Sequence, residues 1–522
     1  MRTALLLLPS FLLACGSSTT TADGGPEGGV LPDGGGVDGG TSAGDSVLTR
    51  NHHVNRDGLF TQPALTKAAV AGMHRDTSFD GKVTGNVYAA PLYVENGPAG
   101  KGTFYVATES NGVFALDEST GAQTWTKTLD PAPSANGDPC GNIHPLGITG
   151  TPAIDLATRT MYLGATVANA GGDAIKTHLV HALSIDDGSE RPGWPVDVGA
   201  LKDQLGRSFN AIVQNQRSAV LLVGGYVYVA YGGHYGDCGT YYGVVFGAPT
   251  ADPSAAKLWA TPARGAGSWS PGGPASDGAS VFATTGNSFG AMSWQGGEAV
   301  IRFDPGPAFS NQTKDYWAPK NWPALDQGDV DLGGSGPLVI DVPGATPSAL
   351  AVALGKDGNA YLVDRNDLGG VRDPVASKHV AGGEIINVAA SYRSSKGSFV
   401  IFHGYSENGS SAQGVGCPNG QSGDLVALSI GAAAPPTIGV SWCADSKNVG
   451  SPIVTTTDGA NDFVVWTAGG ALRAWDAETG APLFAGGGAG DALTGVRQFT
   501  SPIAVHGRVL VGADGHLFAF KP

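Results

Sequence analysis

The sequence predicts an all-β protein of a single architecture, an eight-bladed β-propeller, and three observations carry that expectation. Glycine (82 residues) and proline (33) are abundant without a collagen period, and only 14% of residues are charged, a composition suited to many short strands and tight turns. A strand-turn-strand unit recurs along the chain at the interval of a propeller blade. The last unit lacks its final strand, and an unassigned segment early in the folded region can supply it.

The unit is clearest between Gly112 and Trp125. Val113 to Leu116 is an apolar run, Asp117, Thr120 and Gly121 carry turn chemistry, and Trp125 stands four residues past the glycine. The Asp carboxylate can accept from amides two residues on, the glycine takes a positive φ, and the Trp offers one large flat apolar face. One such unit cannot bury its own faces, whereas eight stacked in a ring can.

Eight strand starts, each with a small residue and usually a proline, fall at Ala90-Pro91, Thr151-Pro152, Ser218-Ala219, Gly273-Pro274, Gly336-Pro337, Ala389-Ala390, Ser451-Pro452 and Ser501-Pro502. Seven intervals of about 59 residues separate Pro91 from Pro502. Second strands are expected over 103–108, 160–165, 226–231, 280–285, 350–354, 399–403, 463–467 and 509–513. Third strands are expected over 113–117, 180–184, 243–247, 299–303, 360–364, 425–429, 472–476 and 517–520. Trp125, Trp194, Trp259, Trp317 and Trp442 then mark five outer strands, with Phe484 in the seventh blade. The eighth unit meets Pro522 before a fourth strand, so residues 70–79 are expected to close the ring. Two stacked sandwiches would need a break near the middle of the repeat, and the repeat has none.

Ahead of the blades stands an address. Arg2 precedes an apolar run from Ala4 to Leu13, too short to span a bilayer and of secretory-leader length. Leu12-Leu13-Ala14-Cys15 resembles the lipobox of bacterial lipoproteins, with Leu13 a less usual residue at its position. The resemblance implies cleavage before Cys15, a diacylated thiol and a domain held to a membrane by lipid alone. Gly16 and Ser17 give no acidic retention signal, so a cell-envelope location with outer-membrane attachment is expected. Residues 16–46, rich in Gly, Asp, Thr and Ser and free of aromatics, read as a tether of roughly 30 Å average reach. The propeller is expected over 47–522, as a monomer.

The formal net charge of −15 disfavours nucleic acid and anionic membrane as partners. Setting Cys15 aside leaves Cys140, Cys238, Cys417 and Cys443, an even set for an exported domain. Cys417 and Cys443 fall in one repeat and are expected to pair, which leaves Cys140 for Cys238. None of the four stands in a CxxC or CxxCH pattern, so neither a zinc ribbon nor attached c-type haem is indicated.

Ala115-Leu116-Asp117, Thr120-Gly121 and Trp125 resemble the tryptophan-docking motif of quinoprotein propellers, which bind pyrroloquinoline quinone (PQQ). Asp476 with Thr479-Gly480 is a second partial copy. Gly147 to Pro152, Asn215 to Arg217, Asp329 to Pro337 and Gly355 to Gly370 also resemble secreted quinoprotein-like propellers, so the likeness covers residues 47–522. It implies candidate site residues. Trp269 is similar to the tryptophan floor beneath the quinone and Asn287 to the amide ligand of calcium. Asp329, two residues before Asp331, is similar to the catalytic base, and Lys356 to the cation on a quinone oxygen. Asp237 is the nearest match to the acidic calcium ligand. Each residue type also serves plain structural ends in such loops. No adjacent cysteine pair is present. Gly286 to Gly290 fits GxSxG but lies between strands with no helix after it. His52, His53, His144, His181 and His234 lack metal-ligand spacing.

Three functional expectations stand. The first is a tethered propeller that binds a small molecule or envelope protein at one end of its channel without catalysis. The second is a calcium- and PQQ-dependent alcohol or sugar dehydrogenase needing a separate electron acceptor. The third is a scaffold in envelope assembly.

Overall fold

The structure, a computed structural model, describes Gly44 to Pro522 apart from Glu407 and Asn419. The expected leader, Cys15 and nearly all of the expected tether lie outside the described residues. The last three tether residues lie against the ring: Ser46 Oγ accepts from the Glu95 amide at 3.1 Å, and Asp45 stands 3.2 Å from His506 Nε2.

Eight sheets follow one another in chain order. Blade 1 runs Leu92–Val94, Thr103–Ala107, Gly112–Asp117 and Gln123–Thr128, each strand antiparallel to the next. The inner strands of blades 2 to 6 are Ala153–Asp155, Leu221–Val223, Ala275–Ser276, Leu338–Asp341 and Ala390–Ser394. Those of blades 7 and 8 are Ile453–Thr456 and Ile503–Val505. The middle strands fall where the repeat put them, because a sheet covered on both faces needs short uninterrupted apolar runs. Gly112–Asp117 is buried through its first five residues, while the rim strand Gln123–Thr128 is never buried. Leu92, Tyr105 and Val113 of blade 1 pack with Ile154, Met161 and Leu183 of blade 2 in one core cluster. No helix among the described residues is long and apolar enough to cross a membrane.

The rim tryptophans fasten neighbouring blades. Trp125 Nε1 donates to the Ile185 carbonyl of blade 2 at 3.0 Å, and Trp442 Nε1 to the Ala477 carbonyl of blade 7 at 2.6 Å. Trp317 Nε1 donates to the Arg372 carbonyl of blade 5 at 3.1 Å. Trp194 precedes the short rim strand Val196–Asp197, since Pro195 has no N–H to give a ladder.

The N-terminal region closes the ring in two pieces. His74–Arg75 pairs antiparallel with the last strand, His74 opposite Lys521, and Gly81–Lys82 pairs with its other half, Gly81 opposite Leu517. The second piece lies beyond the expected 70–79, and a turn divides the two: Asp76 Oδ1 accepts from the Ser78 amide and hydroxyl at 3.1 and 2.6 Å. Residue 70 instead ends a short helix, Lys67–Val70. Gly121, with φ +74°, makes room for this closure, because a Cβ there would stand 2.6 Å from the Asp80 carbonyl carbon.

Residues 47–58 form a second device, absent from the repeat. Val47 bonds to Tyr93 of blade 1, and the Leu48 carbonyl accepts from Ile154 of blade 2, each at 2.8 Å. Arg56 Nη2 donates to the Val220 carbonyl entering blade 3 at 3.2 Å. The carbonyls of Val54, Asn55, Asp57 and Gly58 accept from Ser276, Val339, Ser391 and Val454, in blades 4 to 7. Leu59–Thr61 then lies parallel to the inner strand of blade 7. The segment thus visits seven inner strands in turn and floors the central channel. Both expected disulfides are present, Cys140–Cys238 and Cys417–Cys443.

Candidate functional site

Adjacent strands alternate in direction, so segments entering the inner strands and segments leaving the second strands meet at one end of the ring. The sequence-expected site residues all lie there. Asp237 is in the blade 3 segment that follows its second strand, Trp269 enters blade 4, Asn287 leaves the second strand of blade 4, Asp329 enters blade 5, and Lys356 leaves the second strand of blade 5.

The structure brings Asp237, Trp269, Asn287 and Lys356 to the wall of one cleft, together with Arg217, His234, Tyr241 and Asp331. Asp329 stands at its edge with its side chain 61% exposed, in a left-handed conformation (φ 54°) at the end of the helix Trp322–Gly328. The side chains hold one another in a tight net. Asn287 Nδ2 donates to Asp329 Oδ1 at 3.0 Å, while its own amide donates to Asp331 Oδ1 at 2.7 Å. Asp331 Oδ2 is 2.7 Å from Lys356 Nζ, and Asp329 Oδ2 is 4.0 Å from it. The ammonium of Lys356 lies 5.4 Å from the Trp269 ring centre, and the Arg217 guanidinium 5.3 Å. Asp237 Oδ1 accepts from the Tyr241 hydroxyl at 2.6 Å. Among the described residues no three His, Cys, Asp or Glu side chains stand together as a metal group.

Beneath the net lies Glu298, fully buried, with Oε2 accepting from the Leu332 amide at 2.7 Å. Burial, reinforced by the charge of Asp331, raises its carboxyl well above the usual range. His234 is pushed down to about 3 by burial, with His178 and Arg217 adding to the shift, so its ring is neutral. Burial and the Asp237 carboxylate raise the Tyr241 hydroxyl, which donates rather than ionises.

A second, larger cavity of about 300 Å³ occupies the channel axis. Its walls come from residues entering blades 1, 2, 3, 4, 7 and 8 (Tyr88, Thr149, Arg217, Pro271, Val449, Phe499), and from Tyr405 after the second strand of blade 6. Arg50, from the floor segment, also lines it. Arg217 belongs to both spaces, so the cleft over Trp269 and the channel cavity share a wall. Sequence reasoning noted the stretch Asn215 to Arg217 but gave Arg217 no role. Arg50 carried no signal, because the floor segment has no counterpart in the repeat.

No protein-family model matches the chain, and no curated protein matches it. Among solved structures it is similar to a quinohemoprotein alcohol dehydrogenase from Pseudomonas putida HK5, with a TM-score of 0.60 and 13% identity over 91% of this chain and 80% of that one. A quinohemoprotein alcohol dehydrogenase from Comamonas testosteroni gives 0.56 and 14% over 92% and 81%. A europium-containing methanol dehydrogenase gives 0.58 and 13% over 92% and 98%. Identity at this level speaks for fold alone. The chain is therefore an eight-bladed β-propeller of the architecture that these quinoprotein dehydrogenases use.

Proposed function

We propose that this protein is a membrane-tethered, extracytoplasmic binding propeller that takes a small-molecule ligand at the open end of its floored channel, without catalysis. One observation carries the reading. The channel cavity of about 300 Å³ reaches the size range of small-molecule pockets, is walled by loops from most of the ring, and is sealed below by residues 47–58. A channel closed at one end is a cup. Lipid attachment through Cys15 and an envelope location rest on the leader sequence and belong to the same proposal.

A second reading, a calcium- and PQQ-dependent dehydrogenase, is favoured by the meeting of Trp269, Asn287, Asp329 and Lys356 around one cleft, with Asp237 in its wall. The oxygen donors of Asn287, Asp329 and Asp331 suit a hard cation in kind. The room does not suit the quinone. The cleft holds about 30 Å³, a tenth of the channel cavity, and two cations already lie over the Trp269 ring. Asp331 and the Asn287 amide nitrogen are likewise committed to neighbours.

One titration separates the two readings. Purified protein is mixed with PQQ and calcium and examined for quinone absorbance and dye-linked alcohol or aldose oxidation. The binding reading expects no turnover, whether or not PQQ binds. Turnover that is lost in both Trp269→Ala and Asp329→Ala would replace it with the dehydrogenase.

A further inference from the structure

We propose that the ligand of the channel cavity is a small organic polyanion, a polycarboxylate or phosphate ester, gripped by the guanidinium groups of Arg50, Arg217 and Arg497. This deepens the binding reading above and rests on it.

Among the described residues the charged groups lining the cavity are three arginines, with no Asp or Glu beside them. Arg50 is the most constrained. It is 2% exposed, yet its contacts are all neutral: Nη1 to Thr151 Oγ1 at 3.4 Å, Nη2 to Ser451 Oγ at 3.5 Å, and Nη2 to the Phe499 carbonyl. Its Nε has no hydrogen-bond partner among the described residues. Arg56, behind it on the floor, is also buried and among the described residues bonds only to Thr49 Oγ1 and to the carbonyls of Arg50, Val220 and Pro274. Two buried cations side by side without a carboxylate are costly, and an anion entering the cup repays that cost directly.

Arg217 adds a second reachable charge. One of its nitrogens donates to the Gly233 carbonyl at 3.2 Å, and it makes no ion pair among the described residues. Arg497 is already paired, its Nε and Nη2 both bonded to Asp514, so it offers the ligand its remaining N–H groups more than a free charge. Glu109, the other carboxylate near Arg497, is fully buried, its Oε2 bonded to the Gly147 amide at 2.6 Å. Among the described residues, the positive charge facing the cavity therefore exceeds the negative. Ile143, Pro271, Val449, Val496 and Phe499 supply apolar wall between the guanidiniums, which fits an anion with a carbon frame better than a bare inorganic ion. The planar guanidinium fork matches the oxygens of carboxylate and phosphate alike.

The test is calorimetric titration of the full chain with citrate, glucose 6-phosphate, inorganic phosphate and glucose, at matched ionic strength. Binding of citrate or glucose 6-phosphate supports the proposal and tells a carboxylate from a phosphate ester, provided that Arg217→Gln weakens it about tenfold or more, as loss of a charge-assisted pair requires. Arg50→Lys, which keeps the charge but not the fork, should weaken it further; if that variant fails to fold, Arg217→Gln alone decides. Equal binding of inorganic phosphate and the organic anions would overturn the carbon-frame assignment. Binding of glucose alone would overturn the anion proposal and leave the binding cup standing. Silence from all four probes would remove both.

Discussion

Gly480→Ala tests how the blades are held together. Gly480 has φ +72° and closes the turn after Asp476, its amide donating to the Asp476 carbonyl at 2.8 Å. Trp442 of the preceding blade, 1% exposed, lies flat on it: a Cβ at Gly480 would meet Trp442 Cε3 at 2.7 Å and Cδ2 at 2.8 Å. Alanine thus incurs two penalties. Holding a side chain in the left-handed region costs about 1–2 kcal/mol, and forcing a methyl group into a packed ring costs about 1–3 kcal/mol more. The sum is a loss of about 2–5 kcal/mol, read as a lowered midpoint in urea followed by tryptophan fluorescence. Gly470→Ala is the control, since nothing lies within 4 Å of that site. Its change should stay within about 0.5 kcal/mol. Coincident midpoints for the two variants would show that Trp442 docking on Gly480 does not fasten blade 6 to blade 7.

Three further outcomes are expected. Arg56→Met strips donors from Thr49 Oγ1 and from the carbonyls of Arg50, Val220 and Pro274, and should cost on the order of 3 kcal/mol, read from the urea midpoint with hydrogen exchange at Ser276 as a local reporter. Glu109 is pushed up to about 7 by burial from an ordinary value of 4.5, so its contribution is fully present below pH 4.5 and is lost as pH rises to 7, by about 3 kcal/mol; Glu109→Gln should flatten that slope and be the more stable protein above pH 7. His178 is pushed down to about 4 by burial from 6.5, so the unfolded chain takes a proton that the fold refuses as pH falls through that window. The fold loses about 3 kcal/mol there, and His178→Gln should remove the loss in urea titrations at stepped pH. The two windows overlap and oppose, so the single variants are compared separately.

The ring was legible in the sequence because its determinants are local and repeated. Apolar runs such as Val113 to Leu116 and turns such as Asp117 to Gly121 recur at a steady interval, and the second and third strands lie where those runs fall. Blade 5 shows the limit: its rim strand, Ala376–His379, carries no tryptophan and had no marker. The floor was not legible at all. Residues 47–58 serve six blades through backbone groups and blade 3 through Arg56, and backbone hydrogen bonds leave no signature in side-chain type. The residues around Trp269 could be named from spacing, but their partners could not. Asp329 and Asp331 differ by two positions, and only the structure shows that the first meets the Asn287 side chain while the second takes its amide and Lys356. Arg50 was invisible for the same reason as the floor that holds it.

The floor also governs how the molecule comes together. Its strip of chain precedes every blade in sequence, yet it finds its hydrogen bonds on sheets synthesised after it. A linear stack of repeats can grow by adding units to an end, each stable on its neighbour. Here the earliest residues wait for the latest, and an assembly missing one sheet leaves a gap in the strip's row of partners. Protection of the whole strip from Val47 to Gly58 from a protease would accordingly report a ring assembled from blade 1 through blade 7, whereas protection of any single blade would not.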